Sequence, residues 1–120
     1  MNKNLNKSFI EILTIYKESW NTYNISKLKP FLDEKIEIHI QWYSKPIVGK
    51  KDCLAYLNYY FKETKELTDF DFKAQINSFE NEQKEPIPYI IETMEDQMSS
   101  YEKYFYLEIE GDKIIKISVE

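Results

Sequence analysis

A chain of 120 residues with 42% hydrophobic and 31% charged side chains has the size of one globular domain, 1–120, able to bury roughly two thirds of its unfolded surface. Its net charge of -5, with 16 basic residues that are all lysine, repels phosphate backbones and offers no planar fork for bidentate phosphate or guanine contacts, which argues against nucleic acid as a partner. A single Cys and a single His exclude an internal disulfide and any familiar zinc spacing, and 2 Gly with 4 Pro are too few for a linker or a low-complexity segment.

From Leu5 to about Tyr23, the residues Leu5, Phe9, Ile12, Leu13, Tyr16 and Trp20 recur at three- and four-residue steps, the pattern of one buried face of a long helix. Glu11 and Lys17 interrupt the apolar stretch, so it is neither a signal-peptide core nor a membrane span, and the expected location is the cytoplasm. In "NISKLKPFL", Asn24 or Ser26 offers an N-cap, and with Ser26 as the cap Pro30 falls in the first turn, where its missing N–H has no intrahelical partner to lose; a short second helix packing Leu28, Phe31 and Leu32 is expected.

The period then changes to two. Ile36, Ile38, Ile40 and Trp42 fall on one side of a strand and Glu37, His39, Gln41 and Tyr43 on the other. His39, the one side chain that ordinarily titrates near neutrality, is the usual first candidate for acid–base work, but this phase turns it to the outer face. Ser44 to Val48 reads as a turn with room for a short strand around Pro46, and Gly49 permits a backbone conformation that other residues resist. Lys50 to about Thr64 is a further helix with Cys53, Leu54, Leu57, Tyr60 and Phe61 inward and Tyr56 and Tyr59 on its flanks; Cys53 there reads as a buried thiol.

The remainder is strands. Phe70, Phe72, Ala74 and Ile76 alternate with Asp71, Lys73, Gln75 and Asn77, and an acidic loop "ENEQKEPIP" follows. The phase of "YIIETMED" stays open, because Tyr89, Ile91 and Thr93 compete with Ile90, Glu92 and Met94 for the inner face. Lys103 to Glu110 and Lys113 to Val119 flank "EGD", a hairpin signal that sets Phe105, Leu107 and Ile109 against Ile115, Ile117 and Val119.

This order, with "SWNTYNISKLKPFLDEKIEIHIQW" followed by "GKKDCLAYLNYYF", resembles the nuclear transport factor 2-like (NTF2-like) superfamily, especially its SnoaL-like and ketosteroid isomerase-like members. Asn21, Asn24, Leu28, Phe31, Asp33, Glu34 and Gly49 match the framework. The resemblance implies an α+β cone in which N-terminal helices pack on a curved, mixed and mainly antiparallel sheet, with a pocket between the first helix and the concave face and frequent homodimers through the outer face. Ketosteroid isomerases hold a substrate oxyanion with a tyrosine on the first helix, and Tyr16 falls there. Their proton-transferring aspartate corresponds to Ile40 and their second oxyanion donor to about Phe105, so steroid-isomerase chemistry in its ordinary form is not expected.

Tyr16 is the candidate polar handle, and equally a core tyrosine whose hydroxyl finds a backbone partner. Glu92 is the carboxylate to watch: turned inward among Ile90, Ile91 and Met94 it would have a raised pKa suited to acid–base work, turned outward it is a surface charge. Trp20, Trp42, Tyr60, Phe72, Met94 and Phe105 are the candidate lining of a ligand pocket, or simply its filling. No phosphate loop, nucleophile elbow or metal cluster occurs, and no cofactor is expected. The leading expectation is a binder of a small apolar molecule, with cofactor-independent isomerase-, dehydratase- or cyclase-like chemistry as its enzymatic form. The other is a noncatalytic dimeric interaction or assembly module. A cavity of several hundred Å³ with converging polar groups would favour the first, and a filled cone with a large apolar outer patch the second.

Overall fold

The computed structural model describes residues 7–67 and 69–120, with side chains from residue 9 of the first segment onward. Leu5, counted above with the first helix, lies outside the described residues. In chain order come α1 (Lys7–Thr22), a 3-10 turn (Lys29–Phe31), β1 (Leu32–Ile40), β2 (Ile47–Val48), α2 (Lys50–Glu66), β3 (Asp71–Glu80), β4 (Pro86–Glu95), β5 (Ser100–Glu110) and β6 (Lys113–Val119). The strands form one six-stranded sheet in the order β2-β1-β6-β5-β4-β3. Only β1 and β6 run parallel; every other neighbouring pair is antiparallel. The sheet is open, and both helices pack on its inner face, α1 against β3 and β4, α2 against β1 and β2. Among the described residues no helix is long and apolar enough to cross a membrane.

The period-two reading of β1 holds where it matters. Ile36, Ile38 and Ile40 are buried, whereas Glu37 and His39 face outward and meet each other, His39 Nε2 standing 2.7 Å from Glu37 Oε1 with both side chains well exposed. His39 is therefore not in the core. The α1 face likewise forms as spaced, with Ile12, Leu13, Tyr16 and Trp20 buried, joined by Ser19, whose hydroxyl donates to the Ile15 carbonyl at 2.8 Å.

Asn21 has a specific task at the end of α1. β3 is one of the two edge strands, so the backbone groups of Ala74 that point away from β4 lack a ladder partner. The Asn21 side-chain amide supplies both partners, Nδ2 donating to the Ala74 carbonyl at 3.0 Å and Oδ1 accepting from the Ala74 N–H at 2.9 Å. One side chain thus stands in for a neighbouring strand and locks the helix to the sheet edge.

Four expectations are corrected. The second helix is a single 3-10 turn, because Asn24 Oδ1 takes the Ser26 N–H (2.9 Å) into a local turn and Leu32, four residues beyond Leu28, is already in β1; both leucines are buried. Trp42 is 56% exposed. β1 stops at Ile40, where its parallel partner β6 runs out, and the Tyr43 N–H bonds back to the Ile40 carbonyl at 2.9 Å, so the turn breaks the alternation before Trp42. In β6 it is Ile114, not Ile115, that is buried, since a bulge opposite Glu108/Ile109 leaves Ile115 unpaired and flips the phase. The acidic loop is shorter than it looked. β3 and β4 extend into it, and residues 81–85 turn around Asn81, whose Oδ1 accepts the N–H groups of Gln83 and Glu85, each at 2.9 Å.

Both glycines take positive φ, Gly49 (φ 95) at the start of α2 and Gly111 (φ 61) in the β5–β6 hairpin, as do Tyr23 (φ 55) after α1 and Lys84 (φ 60) in the β3–β4 turn. With Gly49 so turned, its N–H donates to the Ile36 carbonyl at 2.8 Å and α2 is directed back over β1.

Candidate functional site

The open phase of β4 resolves in favour of Glu92. Ile90 and Glu92 are buried on the inner face, while Tyr89, Ile91 and Thr93 lie on the other side. The register explains it: Ile90 pairs with Ile76 and Phe105, and Glu92 with Ala74 and Lys103, so inward residues of three strands meet. A carboxyl group 5% exposed is thereby placed in the hollow of the sheet.

Around it is a small cavity of about 40 Å³, lined by Trp20, Tyr60, Thr64, Phe72, Glu92, Met94, Tyr101 and Lys103. Trp20 reaches in from α1, Tyr60 and Thr64 from α2, and the rest from β3, β4 and β5. Behind the cavity wall, Phe105 packs against Tyr16 (ring centroids 5.8 Å apart) and Trp20 (5.7 Å), and Trp20 meets Phe61 edge-on at 4.6 Å. Of the lining expected from sequence, Trp20, Tyr60, Phe72 and Met94 touch the cavity directly, Phe105 supports it from behind, and Trp42 stands outside the core with its ring 5.7 Å from Lys103 Nζ. Thr64, Tyr101 and Lys103 were not among the residues expected to line it. Tyr101 and Lys103 are brought in by the pairing of β5 with β4, and Thr64 by the face of α2 that already carries Tyr60 and Phe61.

The polar atoms set this region apart. Tyr16 Oη, Trp20 Nε1 and Glu92 Oε2 are fully buried and none has a hydrogen-bond partner. Tyr16 and Trp20 are four residues apart on α1 and so share a face. Burial raises the Glu92 pKa well above the carboxylate range, and only the charge of Lys103 opposes it. Burial, then the Glu92 charge, raises Tyr16 well above its ordinary value, against a lowering by the indole N–H of Trp20 and with a smaller contribution from Tyr56. The indole is thus near the phenol oxygen, although their geometry closes no bond. Of the three groups the indole can only donate, whereas the phenol and the carboxyl can each donate or accept, and none of the three atoms is paired.

Elsewhere, Cys53 is buried with Sγ near the Ile36 and Ile47 carbonyls (3.6 and 3.5 Å), and burial lifts its pKa to about 11, the behaviour of an inert thiol. A groove of about 450 Å³ lies along α1 beside Thr14, Glu18 and Thr22, but none of the unpartnered buried atoms opens into it. Among the described residues no cluster of His, Cys, Asp and Glu could hold a metal ion.

The fold is that of the NTF2-like proteins. The chain superposes with TM-score 0.73 on an NTF2-like protein of unknown function from Mesorhizobium loti, at 10% identity over 99% of this chain and 93% of that one. A steroid delta-isomerase from Pseudomonas aeruginosa gives TM-score 0.71 at 14% identity, covering 96% of this chain and 80% of that one. An NTF2-like protein of unknown function from Cytophaga hutchinsonii gives 0.65 at 16% identity, with 96% of each chain covered. No protein-family model and no curated protein matches the sequence. At such identities the likeness extends to the fold. The positions that the resemblance assigns to the isomerase acids, Ile40 and Phe105, are buried hydrocarbon.

Proposed function

We propose that the chain, as one NTF2-like domain over 1–120 in the cytoplasm, binds a small, largely apolar molecule at the Trp20–Glu92 hollow and acts on it by cofactor-independent acid–base chemistry. Tyr16 and Trp20 would hold a carbonyl or enolate oxygen, and Glu92, on β4, would carry the proton that isomerases of this fold move with acids at other positions. The observation that supports this reading is the trio of buried polar atoms without partners. An unsatisfied buried donor or acceptor costs about 1–3 kcal/mol, so a core built for stability alone has no reason to gather three. A ligand oxygen would satisfy them together. The hollow of about 40 Å³ holds water-sized occupants, short of the several hundred Å³ of a preformed pocket, so a ring-sized ligand needs Met94 and the exposed Tyr101 at the rim to swing aside.

The test is thermal melting of wild type and Tyr16→Phe across a library of small apolar carbonyl compounds. Some members should raise the wild-type Tm, and the variant should lose roughly tenfold or more in affinity for them, as expected for one buried donor. If no compound stabilises the wild type, the binding reading is withdrawn.

A noncatalytic assembly role is favoured by a different feature. On the outer face, Tyr89 contacts Phe79, Tyr104 and Tyr106 at centroid distances of 6.0, 5.9 and 5.6 Å, and Phe79 is 46% exposed. Such a patch suits a homodimer formed through the outer sheet. Sedimentation at micromolar concentration should then give a dimer that Tyr89→Lys dissociates. A wild type monomeric under those conditions rejects this interface.

A further inference from the structure

Lys103 is out of place for a lysine. Its neighbours at alternate positions, Phe105 and Leu107, are buried on the inner face, so Lys103 also points to that face and its stem lines the hollow. Its Nζ lies 5.4 Å from the Tyr60 ring centroid and 5.7 Å from that of Trp42. Among the described residues no carboxylate lies within ion-pair reach of it. Its cross-strand partner Glu92 is the nearest candidate by register, yet that side chain is buried in the hollow with Oε2 unpartnered. The ammonium is therefore held between two ring faces at the rim and forms no ion pair, although its charge is felt by the Glu92 carboxyl.

We propose that this is an anion subsite, and that the molecule bound in the hollow carries a carboxylate on a planar apolar body, its carbonyl end toward Tyr16 and Trp20 and its carboxylate on Lys103. The inference rests on the binding reading above and adds the substrate class. Both ends of the site call for acceptors. Below, the Tyr16 O–H and Trp20 N–H lack one; above, Lys103 offers N–H donors and a charge, with Tyr60 and Trp42 as surfaces on which a flat body can stack. A ligand that is only apolar would leave the cation unused and bury it further, at a desolvation cost.

Acetophenone and 4-acetylbenzoate, which differ by one carboxylate, serve as probes in calorimetric titration of wild type and Lys103→Met at low salt. Wild type should bind 4-acetylbenzoate at least about tenfold more tightly, a preference that shrinks as salt is raised, and Lys103→Met should lose the preference, binding the two probes with similar affinity. Equal or weaker binding of the anion by wild type, or a preference that survives in Lys103→Met, overturns the anion subsite and leaves the binding reading standing. Failure of wild type to bind either probe counts against both. A melting scan of Lys103→Met confirms that it is folded, because loss of a rim lysine leaves the buried core intact.

Discussion

Glu92→Gln is expected to be more stable than wild type by a margin that widens as pH rises above about 4.5, the ordinary value for a glutamate. Glutamine has the shape of the protonated acid and cannot ionise. Below that pH the two proteins carry the same charge at this position and should unfold at similar denaturant concentrations. Above it the unfolded wild type gives up the proton freely, while the folded protein must either hold it or bury a carboxylate. A folded-state pKa raised above the unfolded one contributes stability at low pH that is lost progressively as pH climbs toward the raised value, at about 1.4 kcal/mol per pH unit. Once pH passes the raised value the margin stops growing, and that plateau reads out the shift. Other carboxylates titrate in both proteins, so the difference between their urea midpoints, followed from about pH 4 to about pH 9, isolates Glu92. Parallel curves would mean that the carboxyl reaches water in the folded state and would remove the proton carrier from the proposed chemistry.

Trp20→Ala should cost about 3–5 kcal/mol, the range for truncating a buried tryptophan, and lower Tm by on the order of 10–20 °C for a chain of this size. Trp20 is 3% exposed and contacts Phe61, Phe72 and Phe105 at centroid distances of 4.6, 5.8 and 5.7 Å, so its removal opens the contact between both helices and the sheet. Against a typical total stability of about 5–15 kcal/mol, the loss is large enough to leave a weak variant partly unfolded at 37 °C. Trp20→Phe is the informative companion. It keeps much of the packing and deletes an indole N–H that has no partner, so its cost should fall well below that of the alanine variant. Urea unfolding with unchanged m-values would confirm that the native fold is being compared in all three proteins. A Trp20→Phe variant as unstable as Trp20→Ala would show that the indole N–H is satisfied, which would weaken the case for an unfilled site.

The apolar periods of α1, β1 and α2 were legible because each covers several turns or alternations, and a buried face penalises any other phase. The hairpin around Gly111 was legible for a local reason, since a positive φ in a tight turn selects glycine. The errors cluster where a neighbour intervenes. Trp42 continued a faultless alternation, but the strand ends with its partner. Ile115 continued another, but a bulge spent one residue and buried Ile114 instead. The candidate site was legible in part: Tyr16, Trp20, Tyr60, Phe72, Met94 and Phe105 lie in or behind one hollow, and Glu92, whose phase was open, turned inward. The part played by Lys103 was invisible, because alternation with Phe105 and Leu107 gives its face but not the rings of Tyr60 and Trp42 that it meets there.

By itself the amino-acid sequence determined the two long helices and the main strands, the outward turn of His39 and the resemblance to an NTF2-like cone, since these follow from repeating hydrophobic patterns within each segment. Only the tertiary structure decided that a glutamate would be buried beside two unpartnered donors and under a lysine held between two rings. Those side chains come from α1, α2, the β1–β2 turn, β4 and β5, and their meeting depends on strand register and sheet curvature, which no local pattern encodes.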